Sequence, residues 1–196
     1  MSTRRHTSRD LALVATFAGF VAALGLVPAI SLPVPVPITA QSLGVMLAGS
    51  ILGARRGFAS LALFLALVAV GLPLLAGGRG GLGVFAGASV GFLLAWPVCA
   101  GLIGWLVERG GPRYRLGWGV VANLVGGIVV LYAAGTVGMV AVAHLSVGAA
   151  VAANAWYVVG DLAKVVVAAL VARGVHAAYP GLLQRDVRRD LVGSAA

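Results

Sequence analysis

The chain has 196 residues, 61% of them hydrophobic and 10% charged, with a formal net charge of +9. A soluble core cannot take in that much apolar surface, because too little polar surface remains to cover the outside. The composition excludes a water-soluble domain and points to the lipid bilayer as a second apolar solvent, in line with a mean hydropathy of +1.05.

A membrane helix needs about 20 largely apolar residues. Six such helices use nearly all of the chain and leave no room for a sizeable soluble domain. The expected architecture is an all-α integral membrane protein of six transmembrane helices forming a single domain over residues 1–196, with 1–10 and 178–196 as tails. The apolar run after Asp10 is long enough to span, so it reads as a retained first helix rather than a cleaved signal. Span one runs from about Leu11 to Ile30. "SLPVPVPIT" follows, where prolines 33, 35 and 37 exclude helix and favour an extended loop. Span two covers about Thr39 to Gly53, and after "ARRG" span three covers about Phe58 to Ala76. Residues 77 to 83, "GGRGGLG", are too rich in glycine for a stable helix. Span four runs from about Val84 to Val107, with Trp96-Pro97 as a kink. A basic turn from Arg109 to Arg115 leads to span five, about Gly117 to Ala141. Trp156 and Tyr157 suit a membrane–water interface, and Gly160 weakens helix. Span six is therefore expected from about Val158 to Ala177, with His144 to Ala155 as a loop or short helix at the outer surface.

Of the 14 basic residues, all but Arg79 and Lys164 lie before span one, between spans two and three, between spans four and five, or at and beyond the end of span six. The positive-inside rule then places both termini in the cytoplasm. Topology accounts for the high isoelectric point, and no basic–aromatic stripe suggests nucleic acid. Of the five acids, only Asp161 does not sit beside cytoplasmic arginines.

Chemistry-bearing motifs are few. "GGRGG" is not a phosphate loop, since G-x-x-x-x-G-K-[ST] is absent, so no ATP site is visible. Neither paired carboxylates nor an H-E-x-x-H nor an activated serine appears, which argues against an enzyme. Cys99 is alone, and His6, His144 and His176 are scattered, which argues against a metal site.

Asp161 and Lys164 are different. They stand three residues apart, on one helical face, inside "VVGDLAKVVV". An ionisable group in a span costs a few kcal/mol and usually faces a cavity or a partner. The pair is either self-neutralising glue between helices or a polar ligand site. The proline loop, the glycine loop with Arg79 and the segment before Trp156 share one side, where irregular backbone is tolerated over a cavity. In span one, Ala15, Gly19 and Ala23 form one ladder of small residues, and Ala18 with Ala22 a second. Such ladders allow close helix approach, either within the bundle or toward another subunit.

Three stretches, "PVPITAQSLGVMLAGSILGARRG" (35–57), "GLPLLAGGRGGLGVFAGASVGFLLAWP" (71–97) and "GDLAK" (160–164), resemble the BioY family, the biotin-binding S components of energy-coupling factor vitamin transporters. The resemblance runs through the whole chain. It implies a compact six-helix S-component bundle in the cell inner membrane, with outward loops capping one biotin. The implied partners are a transmembrane coupling subunit and two ATP-binding cassette ATPases, docked through small residues of the first helices: Ala15, Ala18, Gly19, Ala22 and Ala23. No cofactor is implied for this chain, since ATP is used by the partner subunits alone; self-association into a homo-oligomer is left open. The ligand candidates carried over are Asp161, Lys164, Arg79, Thr39 and Gln41 for the polar ends of biotin. Gly83, Phe85 and Tyr132 suit its apolar middle. "GASVGF" (87–92) stands where the family usually has "GPTGGY", so that Ser89 takes the place of the threonine. The rival readings are the same fold serving another small vitamin, and a membrane assembly protein with no ligand.

Overall fold

The structure, a computed structural model, describes residues 3–31, 33–111 and 113–183. Among them the chain is all helical, with two isolated β-bridges and no strand. The helices are α1 (Thr3–Leu24), α2 (Gln41–Leu52), α3 (Ala54–Ala69), α4 (Val90–Arg109), α5 (Leu116–Leu124), α6 (Leu131–Ala143) and α7 (Val147–Ala178). A π-helical segment, Val125–Val130, joins α5 to α6 in one continuous rod, Leu116–Ala143. The six expected helices are therefore present as six rods. Three of them (α4, α5–α6 and α7) are long and apolar enough to cross a membrane, while α2 is a shorter apolar helix of 12 residues.

Several boundaries differ from the sequence expectation, each for a local reason. α1 begins at Thr3, ahead of the apolar run, and ends at Leu24 rather than near Ile30. Gly25 is pressed so closely against the Leu74 carbonyl that a Cβ there would collide with it. α3 stops at Ala69 because Gly71 turns at φ 108° and Pro73 cannot continue a helix. Residues 82–86 form a 3-10 turn, and α4 starts only at Val90, after the extended Gly87. The largest correction concerns α7. It starts at Val147, not near Val158, and runs unbroken for 32 residues. Ser146 caps it, its Oγ accepting from the Ala149 N–H at 3.2 Å. Trp156 faces outward and Tyr157 is buried, and the pair lies within the helix rather than marking its start. His144 to Ala155 is thus a three-residue connector, His144 to Ser146, and the first turns of α7.

Two clusters of apolar side chains fill the bundle. One, around Phe64, Phe92, Trp96, Leu131 and Tyr157, lies at the end carrying the irregular loops. The other, around Met46, Ile51, Ile103, Ala122 and Val165, fills the opposite end. Burial of these side chains is worth about 25 cal/mol per Å² against water, but in lipid close packing matters more. Gly91 and Gly138 supply such packing where α4 crosses α6 with backbone against backbone.

α2 and α3 are joined through Gly53 alone, at φ 81° and ψ −176°. Only glycine adopts that conformation without strain. Glu108, from the end of α4, closes the corner by accepting the Ala54 N–H at 2.8 Å, an anion at a helix N-terminus. Gly53→Ala is expected to cost about 1–3 kcal/mol of stability. A lowered midpoint of thermal unfolding in detergent is the expected result, and an unshifted midpoint would contradict this role for the corner.

Candidate ligand site

At the loop end a cavity opens between α2, α4, α6 and α7. Asp161 and Lys164 form its polar wall. Asp161 is 5% exposed, and its charge is met from three elements. Lys164 Nζ, one helical turn on, donates to Asp161 Oδ1 at 2.7 Å. Tyr132 of α6 donates its hydroxyl to Asp161 Oδ2 at 2.8 Å. Ser42 of α2 donates to Oδ1 at 3.4 Å. Lys164 is equally occupied: its other donors go to the Thr39 carbonyl and to Ser42 Oγ, each at 2.9 Å. The i, i+3 spacing was legible in the sequence; the partners come from chain positions far away.

The apolar wall is aromatic. Phe92 and Tyr132 each meet Tyr157 edge-on, with ring centroids 6.2 Å apart. Trp96 lies beside them, backed by Phe64 at 5.8 Å. The π segment puts Tyr132 in place, since one extra residue in a turn rotates the following helix by about 100°.

The cap consists of two loops, each closed at its base by a backbone pair. Ile30 and Ile38 exchange N–H···O bonds of 2.9 and 3.0 Å around the proline run. Leu75 and Arg79 do the same, at 3.0 and 3.2 Å, around the glycines. Gln41 binds the cap to the bundle. Its amide donates to the Val21 and Leu74 carbonyls at 3.1 and 3.0 Å, and its oxygen accepts the Ala76 N–H at 3.0 Å. Tyr157 donates to the Val36 carbonyl at 2.8 Å and holds the proline loop down.

Asp161, Lys164, Arg79, Thr39, Gln41, Ser89 and Tyr132 therefore converge on one cavity, whereas Gly83 and Phe85 lie outside its lining. Gly83 is exposed in the 3-10 turn, and Phe85 packs against the core. Gln41 has all its polar atoms engaged with backbone, so its place is that of a clamp. Tyr132 turns its hydroxyl to the carboxylate as well as its ring to the cavity. Sequence reasoning missed Ser42, Phe92, Trp96 and Tyr157. Tyr157 stands four residues before Asp161 and would have been found had α7 been read as continuous.

These features define a class, an all-helical membrane protein with a capped, aromatic-lined cavity whose floor is a buried ion pair. The sequence pattern of the BioY family matches residues 1–181, and the chain belongs to that family. It is 48% identical over 186 residues to the biotin transporter BioY of Rhizobium etli, covering 91% of this chain and 99% of that one. It is also 48% identical over 185 residues to the biotin transporter BioY of Rhodobacter capsulatus, covering 89% and 97%. The crystal structure at 2.1 Å of the S-component for biotin from an ECF-type ABC transporter superposes with a TM-score of 0.85 at 28% identity, over 90% of this chain and 95% of that one.

Breaking a buried pair from one side leaves an uncompensated charge, at a cost of about 3–5 kcal/mol. Lys164→Met is expected to destabilise the fold strongly, and the double variant Asp161→Asn/Lys164→Gln much less. Thermal unfolding in detergent tests the order, and equal losses for both would contradict it.

Proposed function

We infer that this chain is the biotin-capturing subunit of an uptake transporter in the cell inner membrane. It takes biotin from the outer side and delivers it inward with an ATP-driven partner. The observation that carries this reading is the Asp161–Lys164 network facing a capped aromatic cavity in a chain so similar to two named biotin transporters. Biotin offers two ureido N–H donors, a ureido oxygen, an apolar middle and a carboxylate tail. Asp161 suits the N–H groups, and Lys164, beside it, suits the ureido oxygen by giving up its bond to Ser42 or Thr39. The rings of Phe92, Trp96, Tyr132 and Tyr157 suit the apolar middle. Arg79 suits the carboxylate, since it lies exposed at the rim and Nε alone is engaged, donating to the Ala76 carbonyl at 3.2 Å. Thr39 and Ser42 hold Lys164 from the cap side.

Equilibrium binding of labelled biotin to the purified protein tests this. Asp161→Asn/Lys164→Gln is expected to weaken binding by about 100-fold or more, from the loss of two charge-assisted hydrogen bonds of about 1.5–3 kcal/mol each. Retained affinity in the folded double variant, or none in the folded wild type, would overturn the reading.

The ATP-driven step of this reading falls to partner subunits. The proposed partners are a transmembrane coupling subunit and two ATPases on the cytoplasmic side, with both termini of this chain facing them. The two small-residue ladders of α1 fall on different faces. Ala18 is buried and Ala22 half-buried, whereas Ala15, Gly19 and Ala23 are exposed, and a Cβ on Gly19 would meet nothing within 4 Å. The outward ladder suits a docking helix, the inward one the bundle itself. Gly19→Leu is expected to leave biotin binding unchanged and to lower biotin uptake by cells carrying the full transporter. Unchanged uptake would remove this face from the docking proposal.

A further inference from the structure

His176 lies on α7 about 22 Å along the helix from Asp161, at the end away from the ligand cavity. It is 8% exposed, and its Nε2 sits 2.9 Å from the Ser50 carbonyl of α2. A carbonyl only accepts, so Nε2 carries a proton and donates it. Tyr114 stacks on the ring at 5.0 Å between centroids, with 24° between the planes. The imidazole is thereby held in a fixed plane, and it forms the inner wall of a cleft of about 320 Å³. Two arginines from different elements flank that cleft, Arg113 from the connector before α5 and Arg173 from the last turns of α7. Pro180 and Leu183 make its apolar side.

The acids at this end are spent elsewhere. Asp10 pairs with Arg56 at 2.6 Å, and Glu108 caps α3. Among the described residues, Arg113 and Arg173 meet no carboxylate. Burial pushes the Tyr114 hydroxyl up to about 12, so the ring brings no negative charge at neutral pH. The cleft is thus concave, doubly cationic and half apolar, at the end of two helices long enough to span the membrane.

We propose that this cleft binds the phosphate of an anionic phospholipid, with Arg113 and Arg173 on the phosphate oxygens and Pro180 and Leu183 against the start of the acyl chains. Guanidinium forks match phosphate oxygens in charge and geometry. A basic pocket between helices at the membrane surface selects lipid headgroups over the surrounding neutral lipid. The apolar side of the cleft favours a lipid over a free phosphate ion, which would leave Pro180 and Leu183 uncovered.

The test uses the full chain in nanodiscs of equal parts phosphatidylcholine and phosphatidylglycerol, with the lipids retained on release measured by native mass spectrometry. Wild type is expected to retain phosphatidylglycerol preferentially. Arg113→Gln/Arg173→Gln is expected to lose that preference by about tenfold or more, at roughly 1 kcal/mol per arginine. Biotin affinity, set at the other end, should stay unchanged and reports that the variant is folded. Equal lipid retention by wild type and double variant would overturn the proposal. Displacement of the lipid by inorganic phosphate would assign the cleft to a free anion and overturn it equally.

Discussion

Two opposite charges buried in an apolar bundle must be met completely, and the loop end of this protein is organised around that requirement. Taking a carboxylate and an ammonium out of water costs several kcal/mol each, and their attraction repays this only when the remaining hydrogen-bonding capacity is also filled. Lys164 has three donors and finds three acceptors; Asp161 finds Lys164, Ser42 and Tyr132. Those partners come from α2, α6 and the proline loop. Meeting the pair thus draws four parts of the chain to one point and leaves a cavity above it.

The same economy governs the cap. A loop over a cavity exposes backbone groups that water satisfies only in part. Proline removes three of the donors outright, at 33, 35 and 37. Tyr157 takes one of the carbonyls, and Gln41 takes two carbonyls and one N–H from two separate segments. A single buried amide thereby ties the end of α1 to the loop that carries Arg79. The cap is held by these hydrogen bonds together with apolar anchors, since Val36 of the proline loop and Leu75 of the glycine loop are buried in the main cluster.

At the opposite end the charges sort differently. The acids near α1, α3 and α4 are used within the bundle, for an ion pair and a helix cap. Among the described residues, Arg113 and Arg173 have no such partners. One flank of the molecule presents small residues on α1, and the other presents Arg113 and Arg173.

Much of this was legible from residues alone. The hydrophobic stretches marked six helices because a bilayer demands about 20 apolar residues per crossing. The prolines and glycines marked the loops because neither residue sustains a helix, and the isolation of Asp161 and Lys164 marked the site because charge in an apolar span needs a reason. The start of α7 was not legible. Trp156 and Tyr157 have the composition of an interfacial belt, and only packing shows that one faces out while the other anchors the cap. Gln41 likewise has the chemistry of a ligand contact, and only its three backbone partners reveal a clamp. The division between the two α1 ladders also waited on knowing which face meets α2. Sequence determines what each segment must avoid, which is water for the spans and helix for the loops. The tertiary structure decides which polar group meets which, because that depends on distances between segments up to 125 positions apart, as between Thr39 and Lys164.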